Sequence, residues 1–387
     1  MIKQSELLKK WFGLLCLKLL FACTLGYGQG GSTSNPHVLP GFTDDKVSDG
    51  WDDLRQLVFD SLGRMFVVEG AGEIWIVDTN GVKINAPLLN IKEEVGQWSS
   101  HGLMGLALDK NFLTNGYFYV MYTVDRHHLL EFGTPNYNAN VNNFFSATIN
   151  RVTRFQADPT TNFTTLIPNS RFVLIGQTKQ TGIPVTYTFH DGGHIEMMLD
   201  GSLVISTGDN AHGGSVDTGS NAQTYYAQCL LDSILILQTN IGGFRSQLIQ
   251  SLNGKLLRID PMTGLGISSN PYYDAAQPNA PISKVWCLGL RQPYQFCIKP
   301  GTSSTDITAG LPGTFYIGDV GFYKWESLFI CDSAAQNFGW PSYEGMAPHN
   351  GFINKWVPNY YAPNPLFGTG GCTQPYFYFK DLLLEPT

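Results

Sequence analysis

Charged residues are scarce in this chain of 387 residues, because Asp, Glu, Lys and Arg together make up only 14% of it. An average soluble domain has about 25%. The sequence contains no run of Lys and Arg and no basic stretch interleaved with aromatic residues, and its net charge is −7. A nucleic-acid interface needs basic patches, so we expect no nucleic-acid partner.

Long hydrophobic runs are also lacking after the N-terminal region. The apolar stretch 11–27 is broken by Lys18 and is short of the ~20 residues that span a bilayer. Lysines precede it and small residues surround Gly26, so we expect a signal peptide over 1–28. The alternative is a lipoprotein signal that ends at Cys23. In both cases the mature chain is expected to be secreted or periplasmic, without a transmembrane span and at most lipid-anchored.

Cysteines are few and irregularly spaced. Seven are present, and Cys16 and Cys23 fall in the leader. The absence of a CxxC pair argues against a zinc site or a thioredoxin-like redox motif. Two states stay open for the others: a Cys287–Cys297 disulfide in an oxidising compartment, or buried free thiols. The five cysteines of the mature chain are Cys229, Cys287, Cys297, Cys331 and Cys372.

Glycine and aromatic residues are plentiful, with 42 Gly and 13% aromatic residues, which favours a β-rich protein with many turns. One pattern recurs four times: a turn with Gly, a hydrophobic strand, and an outer strand that ends in Asp. This repetition is typical of the blades of a β-propeller, and a β-sandwich with coincidental turns is the alternative. The four copies cover 59–69 with 73–78, 106–122 with 151–158, 198–209 with 255–260, and 296–319 with 326–332.

Long insertions separate the later copies, which begin near 59, 107, 198 and 297. In a propeller such insertions gather on one face and build the functional site. The Gly/Ser/Asn-rich start of 210–253 predicts a surface loop. The apolar run 230–237 inside it predicts a short helix or a buried strand.

The stretch Thr188-Phe-His-Asp-Gly-Gly-His-Ile-Glu-Met-Met198 places two histidines four residues apart. On a helix, His190 and His194 would share a face and chelate zinc. Two consecutive glycines make that helix unfavourable by roughly 1 kcal/mol each. The following segment 203–207 predicts a strand, so we expect His190 on a tight loop that leads into a sheet, where a ligand can approach the backbone closely.

Six segments in order, one of which contains His190, resemble the soluble PQQ-dependent glucose/sorbosone (aldose sugar) dehydrogenase family. The resemblance extends over roughly 50 to 345. The segments are Gly102-Leu-Met-Gly-Leu-Ala-Leu-Asp-Lys-Asn-Phe112; His190-Asp-Gly-Gly193 with Asp200-Gly201 and Thr207-Gly-Asp209; Gly254-Lys-Leu-Leu-Arg-Ile-Asp-Pro261; Gly289-Leu-Arg-Gln-Pro293; Gly318-Asp-Val-Gly321 with Trp325-Glu326; and Asn337-Phe-Gly-Trp-Pro341 with Glu344-Gly345.

This resemblance implies an all-β fold, a six-bladed β-propeller of the quinoprotein dehydrogenase type that binds PQQ, supported by calcium. It also implies oxidation of an aldose to its lactone, with hydride passing to the quinone and His190 acting as general base. An imidazole on a Gly-Gly turn suits that role, because it titrates near neutrality. The residues implied for PQQ are Arg291, Gln292 and His101, and those implied for calcium are Asp319, Gly321 and Glu326.

Several positions depart from the family pattern. His194 stands where an Arg is usual, and Gln292 replaces an Asn. Ser327 and Phe338 stand where an acidic residue and a Tyr are expected, which puts the calcium site in doubt. These departures leave open a secreted propeller that binds a glycan or a protein without catalysis.

The chain stops at Thr387, just after a fifth element begins around Tyr376. We therefore expect a propeller domain over 37–387 that is truncated after about four blades, and an inactive fragment of a dehydrogenase is a further alternative. The expected partners are a small sugar and an unknown electron acceptor. Loops such as 123–149 and 210–253 are expected to set the sugar specificity.

Overall fold

Short antiparallel strands joined by glycine turns dominate the structure, a computed structural model that describes residues 46–382. The predicted signal peptide, the alternative lipoprotein signal, Cys16 and Cys23 lie outside these residues. Residues from Gly50 onwards belong to one unit, to which the following description applies. In the part of the chain that the structure describes, no helix is long and apolar enough to cross a membrane.

Four sheets follow one another along the chain and form four propeller blades, which confirms the predicted all-β propeller. Blade 1 contains β1 (Leu54–Phe59), β2 (Met65–Glu69), β3 (Glu73–Val77) and β4 (Leu89–Asn90). Blade 2 contains β5 (Leu103–Leu108), β6 (Tyr117–Thr123), β7 (Thr148–Gln156), β8 (Phe172–Ile175) and β9 (Ile183–Val185). Blade 3 contains β10 (Gly192–Met197), β11 (Leu203–Thr207), β12 (Lys255–Ile259) and β13 (Val285–Leu288). Blade 4 contains β14 (Pro293–Ile298), β15 (Phe315–Asp319) and β16 (Ser327–Cys331).

The first strands of successive blades lie side by side, β1 against β5, β5 against β10 and β10 against β14. All four run in the same direction, so the residues just before each strand gather at one end of this central wall. Two small hairpins follow blade 4. They contain β17 (Tyr343–Glu344) with β18 (Ala347–Pro348), and β19 (Pro358–Pro363) with β20 (Tyr376–Tyr378).

Helices are short and lie in the connections between strands. The α-helices are α1 (Phe112–Asn115), α2 (Arg126–Glu131), α3 (Tyr226–Leu231) and α4 (Pro281–Lys284). The 3-10 turns are Pro159–Thr161, Leu237–Thr239, Gly242–Gln247, Ile307–Ala309 and Phe379–Leu382. The insertion 210–253 is less superficial than its composition predicts, because Phe244 and Arg245 in it are almost completely buried.

The aspartates that end the outer strands have a local structural role. Asp78, Asp158 and Asp260 each accept the backbone N–H two residues further on, at 2.9, 2.8 and 2.7 Å. This Asx turn reverses the chain after the strand. In these three copies the repeated Asp of the sequence pattern therefore marks a turn and not a functional group.

The hydrophobic core is divided into clusters that lie between neighbouring blades. Phe66 and Ile74 of blade 1 pack with Phe118 of blade 2, and equivalent clusters join blade 2 to blade 3 and blade 3 to blade 4. Among the cysteines, Cys287 is buried and Cys297 is exposed, and both are free thiols. The alternative of a Cys287–Cys297 disulfide is therefore wrong for this structure.

Candidate active site

His190 lies on a loop that ends where β10 begins, as the Gly-Gly pair predicts. Its own backbone is in the left-handed region, with φ of 71°, and Gly192 follows with φ of 75°. A side chain at Gly192 would be strained in this conformation, and its Cβ would lie 2.6 Å from the carbonyl oxygen of Ser206. Glycine at this position thus allows the tight turn that directs His190 out of the sheet.

The imidazole of His190 is oriented by a buried carboxylate. Nδ1 lies 2.9 Å from Oδ1 of Asp209, and the side chain of Asp209 is only 1% exposed. Oδ2 of Asp209 accepts a hydrogen bond of 2.7 Å from the indole N–H of Trp340. An ionised carboxylate only accepts, so Nδ1 carries a proton, and Nε2 is the nitrogen at which the ring can gain or lose one.

The charge on Asp209 is stabilised by its neighbours. Burial alone would raise the pKa of Asp209, but the hydrogen bond from His190, the positive charge of this ring when it is protonated, and the guanidinium of Arg291 hold the pKa below its ordinary value. The backbone N–H of Ala211 also donates to Oδ1 at 2.9 Å. Asp209 is therefore an anion over the neutral pH range, ready to stabilise a protonated His190.

Asn210 connects the loop of His190 to the rest of the site. Its Nδ2 donates to the carbonyl of His190 at 3.1 Å and to Oδ1 of Asp191 at 3.0 Å. Its Oδ1 accepts the backbone N–H of Thr186 at 2.7 Å. These contacts hold the strained backbone of His190 in place.

His101 lies beneath this loop and is completely buried. Nδ1 is 2.9 Å from Oδ1 of Asp191, and Nε2 is 3.0 Å from the carbonyl oxygen of Tyr187. Since both ring nitrogens face acceptor oxygens of the protein, neither is available to a ligand here. The predicted contact of His101 with a cofactor stays a prediction, and the geometry gives His101 a part in positioning Asp191.

Arg291 lies across from His190, just before β14. Its Nη1 donates to the carbonyls of Val320 and Gly321 at 3.0 and 2.7 Å, and its Nη2 donates to that of Gly213 at 2.9 Å. Its Nε is buried and has no hydrogen-bond partner among the described residues. Burial lowers the pKa of Arg291. The unpartnered Nε is a donor that an anionic ligand would satisfy.

Gln292 and Asp319 fix the turn that carries Arg291. Oε1 of Gln292 accepts the backbone N–H of Gly192 at 2.9 Å, which joins this turn directly to the His190 loop. The carboxylate of Asp319 accepts the backbone N–H groups of Arg291 and Gln292, at 3.1 and 2.6 Å. The sequence-predicted residues His190, Arg291 and Gln292 therefore meet at one end of the blades.

The predicted calcium ligands Asp319, Gly321 and Glu326 are arranged for other contacts. Both carboxylate oxygens of Asp319 and the carbonyl of Gly321 are hydrogen-bonded as described above, and Oε2 of Glu326 accepts the N–H of Gly321 at 3.1 Å. The guanidinium of Arg291 donates to the carbonyl oxygen of Gly321, which a calcium ion would need as a ligand. No group of three or more His, Cys, Asp or Glu in the described residues could hold a metal ion. As arranged, these residues do not fit calcium.

The loop 321–326 is organised instead around Glu344. Oε1 of this buried carboxylate accepts the backbone N–H groups of Phe322, Tyr323 and Lys324 at 2.8, 2.7 and 2.8 Å. Burial acts against the anion, but these N–H groups lower the pKa of Glu344. The carboxylate of Glu344 thus fixes the backbone conformation of the loop 321–326.

His194 does not belong to the site, although it is only four residues from His190. Its ring packs edge-on against Phe296, with centroids 4.5 Å apart, and its Nε2 lies 3.6 Å from Oε2 of Glu196. Neither ring nitrogen has a hydrogen bond to a described residue. The turn at Gly192 separates the two histidines, so that the ring of His190 contacts Asp209 and the ring of His194 contacts Phe296.

Reasoning from the sequence missed Asp209, Asn210 and Trp340 as parts of the site. The signal for the first two was present, since Gly208-Asp-Asn210 directly follows β11, where polar residues at a strand end would meet the loop before β10. Trp340 stands in one of the segments that carry the resemblance, but nothing in the sequence indicated its contact with Asp209, because 131 residues separate the two.

The chain is similar to known proteins over most of its length. The Glucose / Sorbosone dehydrogenase family model matches residues 53–355. The HIPL2 protein of Arabidopsis thaliana is 26% identical over 308 residues, a match that covers 74% of this chain and 40% of that protein. The chain thus spans less than half the length of this curated relative.

Two solved structures have the same fold. The PQQ-bound form of the aldose sugar dehydrogenase of Streptomyces coelicolor matches with a TM-score of 0.52 and 21% identity, over 81% of this chain and 72% of that chain. A structure from Thermus thermophilus, described as a putative oxidoreductase (glucose dehydrogenase), matches with a TM-score of 0.53 and 21% identity, over 79% and 69% of the two chains. At this identity the likeness concerns the fold alone.

Proposed function

Because the chain belongs to the glucose/sorbosone dehydrogenase family, we propose that it is an oxidoreductase that converts an aldose to its lactone, with His190 as general base. The observation that carries this proposal is the pairing of His190 with the buried carboxylate of Asp209, 2.9 Å away. A neutral imidazole held by a carboxylate is the usual arrangement of a general base in enzymes.

His190 would act through Nε2, which has no protein partner among the described residues. It would take the proton of the C1 hydroxyl of the sugar while the C1 hydrogen leaves as hydride and the C1–O bond becomes the lactone carbonyl. Asp209 would keep Nδ1–H in place and stabilise the imidazolium that forms. Gly213 lies beside Nε2, and a Cβ at this residue would already contact the ring at 3.7 Å, so glycine leaves this edge of the imidazole uncovered.

The cofactor proposed for this chemistry is PQQ, which accepts hydride when bound. The residues present fit the carboxylate of a quinone cofactor in one respect, because the buried Nε of Arg291 lacks an acceptor, whereas Nη1 and Nη2 already donate to backbone carbonyls. Gln292 lies beside it and its Oε1 is taken by Gly192. Arg291 would bind a carboxylate oxygen, and Gln292 would orient the His190 loop toward the cofactor.

We do not extend the proposal to calcium at Asp319, Gly321 and Glu326, for the geometric reasons given above. We do propose that the propeller domain extends over 37–387 and that the chain is exported, to the periplasm or the exterior, behind the signal peptide 1–28. The proposed substrate is an aldose, and the proposed electron acceptor is a redox partner.

The test uses the full chain with PQQ added, and follows aldose-dependent reduction of a redox dye together with PQQ binding by fluorescence. The wild-type chain is expected to bind PQQ and to reduce the dye. His190→Ala should bind PQQ and lose dye reduction, since only the base is removed. His194→Ala is the matched control, because the ring of this histidine packs against Phe296 outside the site, and dye reduction should stay as in the wild type.

Two outcomes would count against the proposal in different ways. Dye reduction that persists in His190→Ala would exclude His190 as the base but leave the dehydrogenase activity. A folded wild-type chain without PQQ binding or dye reduction would exclude the activity as proposed. That result would favour a propeller that binds a glycan or a protein without catalysis.

A further inference from the structure

A cavity that shares no residue with the His190 site lies at the outer edge of blade 2. Its volume is about 750 Å³, within the range of small-molecule sites. Strand β8 and helix α2 form two of its walls, and the segments 90–94 and 263–284 of the neighbouring blades form the others. The mechanism proposed above uses none of its residues.

The cavity contains a partly free guanidinium. Arg171 is 39% exposed, and its Nη2 donates to Oε1 of Glu94 at 2.7 Å. Glu94 is also paired with Arg151, so one carboxylate holds two arginines. Nε and Nη1 of Arg171 have no hydrogen-bond partner among the residues that the structure describes. A guanidinium held on one edge and open on another is suited to bind a carboxylate.

The charges that line the cavity sum to a positive excess. The cations are Arg151, Arg171 and Lys284, against the two anions Glu93 and Glu94. Lys284 is buried, and its Nζ donates to the carbonyl of Gly264 at 2.7 Å and to Oδ1 of Asn279 at 2.6 Å. An ammonium group has three donors, so one remains. The site therefore favours an anion over a cation or a neutral ligand.

A histidine supplies an acceptor on the same wall. Nδ1 of His128 is 2.9 Å from the hydroxyl of Tyr137, and that hydroxyl donates to Oε1 of Glu93 at 2.7 Å. Because the hydroxyl proton is directed to Glu93, the hydroxyl can only accept from Nδ1–H. Burial lowers the pKa of His128, so the ring is neutral near pH 7 and Nε2 is an acceptor. An acceptor of this kind suits a ligand hydroxyl.

Aromatic and uncharged polar side chains also line the cavity, which suits a sugar ring better than a small inorganic anion. Two aromatic rings, Phe132 and Phe172, are 62% and 43% exposed at the rim. An adjoining cavity of about 630 Å³ shares three residues with this one, so a ligand longer than one ring would have room. Six uncharged polar side chains also line the cavity: Asn90, Gln177, Thr178, Thr181, Thr263 and Asn279.

We propose that this groove is a binding site for a carbohydrate that carries a carboxylate, a uronic acid or a short chain of such units. The open edge of Arg171 binds the carboxylate, Nε2 of His128 accepts a hydroxyl, and Phe132 and Phe172 contact the apolar face of the ring. The groove is independent of the His190 site. Its role is to hold an acidic glycan at the side of the propeller.

The test is a calorimetric titration of the full chain with glucuronate, galacturonate, glucose and inorganic phosphate, without PQQ. We expect saturable binding of a uronate with an affinity at least about tenfold higher than that for glucose or phosphate, as a charge-assisted pair implies. Arg171→Gln should abolish this preference. Lys299→Gln, which removes a cation of blade 4 outside the groove, should leave it unchanged.

Two further variants make the result decisive. Gln177→Trp fills the groove from an exposed position without touching Glu94, and it should reduce uronate affinity about tenfold or more even if Arg171→Gln does not fold. His190→Ala should bind uronate as the wild type does, which separates this site from the proposed active site. The proposal is overturned if no uronate binds, if phosphate binds as tightly, or if Gln177→Trp leaves the affinity unchanged.

Discussion

Asp209 is the residue whose single change should affect the chemistry most without altering the shape of the site. Its two oxygens hold Nδ1 of His190 and the indole N–H of Trp340. In Asp209→Asn the amide N–H₂ faces one of these donors, so the ring of His190 is no longer held with its proton on Nδ1. By analogy with other carboxylate–histidine pairs, we expect kcat to fall by roughly 10²–10⁴-fold.

Steady-state dye reduction with PQQ measures this loss, and PQQ affinity should stay close to that of the wild type, because Asp209 is not a proposed cofactor ligand. Asp158→Asn is the matched control, since Asn also supports an Asx turn and no change in kcat is expected. An unchanged kcat in Asp209→Asn would show that Asp209 does not orient the base.

Asp319 should make the stability of the protein depend on pH. Burial raises the pKa of this carboxyl to about 7, although the N–H groups of Arg291 and Gln292 act to lower it. The folded state therefore binds the proton more tightly than the unfolded state, whose pKa is about 4. The stabilisation is fully present below about pH 4 and is lost as the pH rises to about 7, at about 1.4 kcal/mol per pKa unit.

The Asp319→Asn variant isolates this contribution because an amide does not titrate. Denaturant unfolding of both proteins should be compared between about pH 5 and 8, the window that the raised pKa defines. The wild type should lose stability relative to the variant up to about pH 7 and no further. A difference between the two proteins that stays constant across this range would show that Asp319 is ionised throughout.

Several residues of the candidate site could be predicted from short segments of the sequence, but the residues that form hydrogen bonds with them could not. His190, Arg291 and Gln292 stand in recognisable short segments, and all three lie at the same end of the blades. Asp209 and Trp340 contact each other only because the chain returns to the same place after 131 residues, which no local pattern encodes. The sequence motifs also could not show that Arg291 donates a hydrogen bond to the carbonyl oxygen of Gly321.

At the scale of elements, the loops before β10 and β14 depend on a close approach of two backbones. A Cβ on Gly208 would lie 2.0 Å from the carbonyl oxygen of His190 and 2.5 Å from Oε1 of Gln292. Gly208→Ala must therefore displace the His190 loop, and we expect a loss of about 1–3 kcal/mol of stability and of most dye reduction.

Thermal unfolding and dye reduction of the two proteins measure the effect of Gly208→Ala. Gly214→Ala is the control in a nearby loop, because a Cβ there would meet no atom within 4 Å, and it should resemble the wild type. Equal stability of the two alanine variants would mean that the backbones at Gly208 do not approach as closely as the structure indicates.

The loop 321–326 should depend on the charge of Glu344 and not on a metal ion. Glu344→Gln replaces one of two carboxylate oxygens by an amide group and removes the negative charge that the N–H groups of 322–324 surround. Hydrogen exchange of these amides should become at least about tenfold faster at neutral pH, which corresponds to about 1.4 kcal/mol of lost protection, and calcium or a chelator should not change it. Slower exchange of 321–326 on adding calcium to the wild type would contradict this.

Strands were the most predictable elements, for a physical reason. The runs 73–78, 117–122, 203–207 and 255–260 pair apolar stretches with Gly or Asp turns, and each is a strand in the structure. The insertion 210–253 was harder, because its polar composition predicts exposure. Arg245 is buried there since its guanidinium finds acceptors in the carbonyls of Asp209 and Asn210, at 2.9 and 3.1 Å.

At the scale of the whole molecule, the clusters between blades join all four blades in chain order. Blade 1 packs on blade 2, blade 2 on blade 3, and blade 3 on blade 4, and the first of these clusters also includes Tyr226 and Cys229 from the insertion 210–253 of blade 3. Stability in such an array is approximately a sum of blade and neighbour contributions. The division of the core into separate groups between neighbouring blades was not predicted from the sequence.

Phe315 tests how strongly the blades are coupled. It is completely buried, and it packs against Phe296 with centroids 5.7 Å apart in the cluster between blades 3 and 4. Phe315→Ala should cost about 3–5 kcal/mol, because the cavity it leaves is lined by strands that cannot collapse. Phe367→Ala, at a side chain that is 56% exposed, should cost less than about 0.5 kcal/mol.

The manner of unfolding distinguishes coupled from independent blades. Arg291 before β14 donates to Gly213 of blade 3, and Gln292 accepts from Gly192, so blade 4 and blade 3 share the site as well as a core. We therefore expect Phe315→Ala to unfold in a single transition at lower temperature, with tryptophan fluorescence and far-UV circular dichroism changing together. A separate early transition, in which fluorescence of Trp340 changes before most strands are lost, would show that blade 4 unfolds independently.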